Sequence, residues 1–166
     1  VRAITSDCGY MVRYQQKVAD AVNIPVILSS LVQLPMLERS IGGHQKIGII
    51  CANQKRLSPQ LLEIAGLQNP DSVVIYGLED QPNFRGPILD ETGTLEPDKI
   101  EQEIVAVAKQ MIEKHPEIGP ILLECSNLPP YAAAVQHATG RLVFDYTTLI
   151  DMYAGSAKRK PFHGFY

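Results

Sequence analysis

The sequence lacks two features that would point to large partners: an excess of positive charge and a long apolar segment. Lysine and arginine number 15 against 18 aspartate and glutamate residues, so the formal charge is −3. Without a basic stripe to neutralise phosphates, the composition excludes a typical nucleic-acid-binding protein. The longest apolar runs, at 24–28 and 47–52, have the length of strands and fall far short of the roughly 20 residues that span a bilayer. We therefore expect neither nucleic acid nor membrane as a partner.

Cysteine is scarce, and the few cysteines are not grouped. Cys8, Cys51 and Cys125 are widely spaced and odd in number, which fits neither a disulfide framework nor the paired spacing of a zinc site. The histidines lack the i, i+4 spacing of a metal-binding helix, and we interpret them as surface or loop residues: His44, His115, His137 and His163. These absences predict a protein of a reducing, cytoplasmic compartment without a metal site.

What is present is a regular alternation of two kinds of segment. The 166 residues, 45% of them hydrophobic, suffice for one domain or two small lobes. Short β-branched runs alternate with amphipathic segments of helical length, which is typical of βαβ units and mostly parallel sheets, so the predicted fold class is α/β. Strands are predicted at 2–6, 25–28, 46–51, 72–76, 120–124 and 142–146, and helices at 11–22, 32–40, 59–65, 97–114, 130–138 and 147–154. The segment 78–96, rich in glycine and proline, is predicted as a long irregular loop.

The chain also resembles itself. Aligning Cys8 with Cys125 without a gap matches six further pairs: Ile4 with Ile121, Asp7 with Glu124, Tyr14 with Tyr131, Val18 with Val135, Ala21 with Ala138, and Val26 with Val143. Matches of Ile, Val and Ala can arise by chance between any two amphipathic βαβ units. The match of a cysteine preceded by an acidic residue does not follow from the hydrophobic pattern alone. A duplicated unit and a chance similarity both remain open.

The predicted positions of the two aligned cysteines favour a functional role over the alternative, that they fill the core as free cysteines often do. Each is predicted at the carboxyl end of a parallel strand and just before a helix, where open α/β sheets place their ligands. The positive end of a helix dipole favours the thiolate, which can act as a base. Cys51 ends an apolar strand, so we interpret it as a core residue.

Two symmetry-related thiols suit the inversion of a stereocentre without a cofactor. A thiolate on one face removes the proton from the α-carbon of a small carboxylate or amino acid, and a thiol on the other face returns one. Residues after the predicted strands would bind the substrate: Gly9, Tyr10, Ser30, Asn53, Ser126 and Asn127. Helix capping is an equal interpretation for the serines, and a turn before Pro129 for Asn127.

Four segments resemble the aspartate/glutamate racemase superfamily. They are AITSDCGY at 3–10, PVILSSL at 25–31, LECSNLPPY at 123–131 and FDYTTL at 144–149. The resemblance implies two Rossmann-like lobes that face each other, with one catalytic cysteine on each, and it makes Cys8 and Cys125 the acid/base pair. It also implies that Ser126 and Asn127 help to bind the substrate carboxylate.

The resemblance also implies lobe boundaries and a longer protein. One lobe would comprise residues 1–43 and 141–166, and the other residues 44–140. Members of the superfamily begin with a further strand and helix, and the sequence starts at Val1 in a strand-like segment, so we expect the natural protein to extend beyond its N-terminus. Glutamate racemases follow their cysteines with Asn-Thr and Thr-His, whereas this chain has Gly9-Tyr10 and Ser126-Asn127, which argues against glutamate as substrate.

The sequence therefore predicts an amino-acid racemase or epimerase, an isomerase that uses two cysteines and no cofactor. One alternative is an enzyme like maleate isomerase or malonate decarboxylase of the same superfamily, although the presence of both cysteines argues against the decarboxylase. Another is a non-catalytic small-molecule-binding protein or a redox dithiol protein, although no Cys-x-x-Cys pair exists. The racemase hypothesis requires the sulfurs to face each other about 7 Å apart. A symmetric homo-oligomer is a further expectation.

Overall fold

The computed structural model describes residues 1–164, and its six strands form two parallel sheets. The strands are β1 (Ile4–Thr5), β2 (Val26–Ile27), β3 (Lys46–Cys51), β4 (Val73–Gly77), β5 (Ile118–Leu123) and β6 (Val143–Phe144). The larger sheet has the order β4-β3-β5-β6, and β1 pairs with β2 in the smaller one. Every predicted strand is present at its expected place, and the α/β class is confirmed.

Helical segments connect the strands. The α-helices are α1 (Gln15–Ala19), α2 (Leu34–Ser40), α3 (Pro59–Ile64), α4 (Pro82–Phe84), α5 (Pro97–Lys114), α6 (Ala132–Thr139) and α7 (Tyr146–Ala157). Short 3-10 segments precede three of them, at Gly9–Tyr14, Ser30–Gln33 and Pro129–Tyr131, and two others lie at Gln54–Arg56 and Pro70–Ser72. Among residues 1–164, no helix is both long enough and apolar enough to cross a membrane.

Local sequence determines where the two longest helices begin. Pro97 occupies the first turn of α5, where its fixed φ angle fits the helix. Asp98 follows it and places a negative charge at the positive end of the helix dipole. At the start of α7, the Asp145 side chain accepts from the backbone N–H of Thr148, and the Thr148 hydroxyl bonds back to the Asp145 N–H. This capping box satisfies two backbone donors that the helix itself leaves unpaired.

The central strands β3 and β5 are covered on both faces. Ile50 and Leu123 pack into a cluster with α5, which contributes Ile104. Ile49 and Leu122, which point the opposite way, pack with Leu31, Leu34 and Leu37 around α2. Period-two alternation in these strands therefore supplies one core to each side of the sheet.

The structure corrects the prediction of an irregular loop at 78–96. This segment contains α4 and a π-helical turn, Arg85–Leu89. Phe84 is completely buried, and the Glu103 carboxylate of α5 accepts from the backbone N–H groups of Asn83 and Phe84 at 2.9 Å each. Tertiary contacts thus order a segment whose composition favours a loop.

The division into lobes of residues 1–43 with 141–166, and of residues 44–140, stays a prediction. The strand β6 lies within the first of these lobes in sequence, yet it pairs with β5 of the larger sheet.

Candidate active site

The loops that follow strands β1, β2 and β5 meet at one end of the sheets. The Ser126 hydroxyl donates to the backbone carbonyl of Asp7, which ties the Cys125 loop to the Cys8 loop. The Ser30 hydroxyl donates to the backbone carbonyl of Glu124 at 3.0 Å. Because the carboxyl ends of parallel strands share one edge, residues more than 90 positions apart in sequence come together here.

Cys8 lies at the surface of this junction. It follows β1 and directly precedes the 3-10 turn Gly9–Tyr14. Its side chain is exposed and lines a cavity of about 460 Å³. The other residues that line this cavity are Tyr10, Met11, Arg13, Tyr14 and Arg56. The Cys8 thiol is therefore open to a small molecule.

Cys125 is in a different environment. Burial, together with the charges of Glu124 and Cys8, raises the pKa of the Cys125 thiol to about 11, while hydrogen bonds from Asn127 oppose that rise. One of these bonds runs from the Asn127 Nδ2 to the Cys125 Sγ at 3.7 Å. The two thiols are thus close enough to interact electrostatically but differ in exposure. The separation expected for two facing sulfurs stays a prediction.

Glu124 is the residue whose importance the sequence did not reveal. Its carboxyl group is 1% exposed, and the backbone N–H of Ala52 donates to its Oε2 at 3.4 Å. A Cβ added at Gly9 would overlap the Oε1 of Glu124. Burial raises the pKa of Glu124 to about 7, against the opposing bond from Ala52. The match of Asp7 with Glu124 in the internal alignment was the available signal, but Asp7 is exposed and only Glu124 is buried.

Two tyrosines frame the junction. The Tyr10 hydroxyl donates to the backbone carbonyl of Asn53 at 3.0 Å, and that of Tyr146 to the carbonyl of Leu28 at 2.9 Å. Burial is the main reason that the pKa of Tyr10 is raised and that the pKa of Tyr146 rises to about 12; the Glu124 charge adds to both. Both phenols therefore stay protonated at neutral pH and hold neighbouring loops together.

The remaining predicted site residues are engaged in structural bonds. The Asn53 side chain accepts from the Lys55 N–H at 3.0 Å and caps the 3-10 turn Gln54–Arg56. Gly9 and Ser30 are buried against Glu124, and Ser126 bonds to Asp7. Substrate binding by these residues, and by Tyr10 and Asn127, stays a prediction.

Cys51 is completely buried, as predicted for a core residue, and its thiol donates to the Tyr76 carbonyl at 3.6 Å. Within residues 1–164, no group of three or more His, Cys, Asp or Glu side chains is arranged to hold a metal ion.

Comparison with known proteins gives several relatives of one kind. The chain is 37% identical over 157 residues to a dimethylsulfoniopropionate lyase of Durusdinium sp. clade D, covering 92% of this chain and 52% of that protein. It is 31% identical to dimethylsulfoniopropionate lyases 5 and 7 of Emiliania huxleyi (strain CCMP1516), covering 99% of this chain and 33% and 50% of theirs. The chain thus spans between one third and about one half of these curated relatives. No family model matches it.

A solved structure shares the fold. The crystal structure of allantoin racemase from Pseudomonas fluorescens superposes with a TM-score of 0.59 at 20% identity, covering 94% of this chain and 62% of that one. The predicted resemblance to racemases is confirmed at the level of the fold.

The expected activity is wrong. The sequence predicted an amino-acid racemase or epimerase, and hence an isomerase of amino-acid metabolism, whereas the relatives with 31–37% identity carry the name of a lyase. None of the alternatives drawn from the sequence described that activity. The resemblance to racemases thus predicted the fold correctly and the reaction incorrectly.

Proposed function

We propose that this chain forms the catalytic part of a lyase that cleaves dimethylsulfoniopropionate, within the aspartate/glutamate racemase superfamily. The observation that carries the proposal is identity of 31–37% over 92–99% of the chain to proteins of that name. The racemase-like fold supports it, because racemisation and elimination can begin with the same step, the removal of a proton next to a carboxylate.

The reaction proposed is an elimination. The substrate carries a carboxylate at one end and a dimethylsulfonium cation at the other, separated by two carbons. A base removes a proton from the carbon next to the carboxylate, and that electron pair forms a double bond to the neighbouring carbon. The carbon–sulfur bond breaks and its electron pair leaves with neutral dimethyl sulfide. Acrylate remains, and the base keeps the proton, so one base is sufficient.

Cys8 is the base in this proposal. Its thiol lines the cavity of about 460 Å³ and is exposed. Cys125 is less suited to the role, because burial and the neighbouring Glu124 hold its pKa near 11 and thereby keep it protonated at neutral pH. A two-base racemase needs both thiols to exchange the roles of acid and base. An elimination needs one base only, so it can proceed with one exposed thiol and one buried thiol.

The cavity beside Cys8 has the chemistry of a zwitterion-binding site. Arg13 and Arg56 line it, and neither takes part in an ion pair among residues 1–164. Their guanidinium groups suit the carboxylate, which they can bind in a bidentate geometry. Tyr10 and Tyr14 line the same cavity, and aromatic faces attract cations such as a sulfonium group.

The test measures dimethyl sulfide and acrylate formed by the full-length natural protein from dimethylsulfoniopropionate. Cys8→Ser is expected to lower kcat at least about 100-fold, because a serine hydroxyl stays protonated at neutral pH, whereas a thiol can form the thiolate that acts as the base. Cys51→Ala, which changes a buried cysteine outside the cavity, is the matched control and should retain most of kcat. A folded wild-type protein that releases no dimethyl sulfide, or a Cys8→Ser variant of unchanged kcat, would contradict the proposal.

A further inference from the structure

We propose that Ser6 and Gln15 are positioning residues, which hold the segment between them, and with it the thiol of Cys8, against strand β2. The inference rests on the proposed function for the role of Cys8 and on hydrogen bonds for the attachment itself. Both side chains bind Leu28, the residue that directly follows β2. The Ser6 hydroxyl donates to the Leu28 carbonyl, and the Gln15 Oε1 accepts from the Leu28 N–H at 2.9 Å. We call these two contacts the Leu28 clamp.

The clamped segment, residues 6–15, forms most of the wall of the candidate active site. Five of the six residues that line the cavity of about 460 Å³ belong to it: Cys8, Tyr10, Met11, Arg13 and Tyr14. They include the proposed base and one of the two arginines that suit the substrate carboxylate. A displacement of this segment therefore moves the base and a carboxylate-binding group away from Arg56, which lies on another loop.

Strand pairing and packing hold this segment in part. In the described part of the chain, β1 ends at Thr5 and pairs with β2 through two residue pairs. Val12, in the middle of the segment, is completely buried, whereas Cys8 is exposed. The position of the base therefore depends on polar contacts more than on burial, and the clamp supplies such contacts at both ends of the segment.

Each side chain of the clamp makes a second bond that suits a positioning role. The Ser6 hydroxyl accepts from the backbone N–H of Cys8 at 3.4 Å, so one hydroxyl joins the base to the end of β2. The Gln15 Nε2 donates to the Val26 carbonyl at 2.7 Å, so this side chain bonds at both ends of β2. Both side chains are half-buried, which shields these bonds in part from water.

An elimination requires such control of position. The base must reach the proton next to the carboxylate while the carboxylate stays bound, and a displacement of about 1 Å can lower the rate about 100-fold. Because Ser6 bonds to the Cys8 backbone, its loss frees the end of the segment that carries the base. Gln15 lies two residues after Arg13, so its loss frees the end that carries the arginine.

The first experiment measures kcat and KM of Ser6→Ala for dimethylsulfoniopropionate in the full-length natural protein. We expect kcat to fall about tenfold and KM to stay within about twofold of wild type, because Val12 and Gln15 still hold the rest of the segment. Ser6→Thr, which keeps the hydroxyl, should restore most of kcat. Ser40→Ala, which removes a hydroxyl bonded within α2 to the Leu37 carbonyl, is the matched control. An unchanged kcat in folded Ser6→Ala, or an equal loss in Ser40→Ala, would overturn the inference.

The second experiment needs no substrate and adds a second variant. Amide hydrogen exchange in the 3-10 segment Gly9–Tyr14 should become at least about tenfold faster in Ser6→Ala and in Gln15→Ala. Gln16→Ala, which removes a neighbouring side-chain bond to Asp20, should leave it unchanged. Wild-type exchange rates in folded Gln15→Ala would overturn the inference. The expected exchange in a protein that releases no dimethyl sulfide would instead refute the proposed function and leave the clamp intact.

Discussion

Gly9 lies directly against the carboxyl group of Glu124, so the residue after Cys8 and the residue before Cys125 are in contact across the junction. The contact is close enough that a Cβ at position 9 would overlap both the side chain and the backbone carbonyl of Glu124. The Cys8 loop and the start of the Cys125 loop therefore pack against each other at one buried carboxyl group.

Replacing Gly9 by alanine should destabilise the protein. The added methyl group must displace a buried carboxyl group and backbone, and overpacking of this kind costs about 1–3 kcal/mol of the free energy of unfolding. Urea denaturation followed by circular dichroism measures the change. Gly43→Ala is the matched control, because nothing lies within 4 Å of a Cβ there. Equal unfolding midpoints for the two variants would refute the contact.

Stability should depend on pH through Glu124. Since burial raises its pKa to about 7, from an ordinary value of 4.5, the folded state binds more protons than the unfolded state between these values. The contribution of Glu124 to the free energy of unfolding is therefore largest below pH 4.5. It falls by up to about 3 kcal/mol as the pH rises to 7.

The corresponding measurement compares wild type with Glu124→Gln by urea denaturation at several pH values. The difference in the free energy of unfolding between the two proteins isolates this one group, because all other titrations are common to both. A difference that is constant from pH 4.5 to 7 would show that Glu124 titrates normally.

Arg13 and Arg56 should govern substrate affinity. Arg13→Gln and Arg56→Gln are each expected to raise KM for dimethylsulfoniopropionate roughly tenfold, with a smaller effect on kcat, because each removes a charge-assisted hydrogen bond to the carboxylate. Arg39→Gln, an exposed position on α2 outside the cavity, is the control for the loss of charge. Equal KM values in all three variants would place the carboxylate elsewhere.

Glu103 should order the segment 83–89. Its carboxylate accepts from both backbone N–H groups of Asn83 and Phe84 and from the Asn83 side chain. Phe84 also lines a cavity of about 370 Å³ beside Ser126 and Asn127. Glu103→Ala should therefore increase amide hydrogen exchange in this segment at least about tenfold relative to wild type.

The control for this prediction is Glu113→Ala, an exposed change near the other end of α5. It should leave exchange in the segment 83–89 unchanged. Faster exchange of the segment 83–89 in both variants would indicate that the substitutions destabilise α5 as a whole. The effect would then not be specific to the contact with Glu103.

The sequence by itself determined the six strands, most of the helices and the places of Cys8 and Cys125 relative to the strands. Period-two runs such as 46–51, and end signals such as Pro97 and the Asp145 capping box, act over a few residues, so local physics decides them. The internal match of Cys8 with Cys125 placed both thiols after strands, which is where the structure has them. It could not distinguish elimination from racemisation, since both need a base beside a carboxylate and the leaving group belongs to the substrate.

Only the tertiary structure decided how the matched positions differ. Asp7 and Glu124 occupy equivalent places in the sequence pattern, yet Asp7 follows a strand of the two-stranded sheet and is exposed, while Glu124 follows a central strand and is buried. Burial depends on which distant parts of the chain pack against a residue, and a local sequence pattern does not contain that information. That difference in desolvation raises the pKa of Glu124 and of Cys125, and it separates one accessible thiol from one protected thiol.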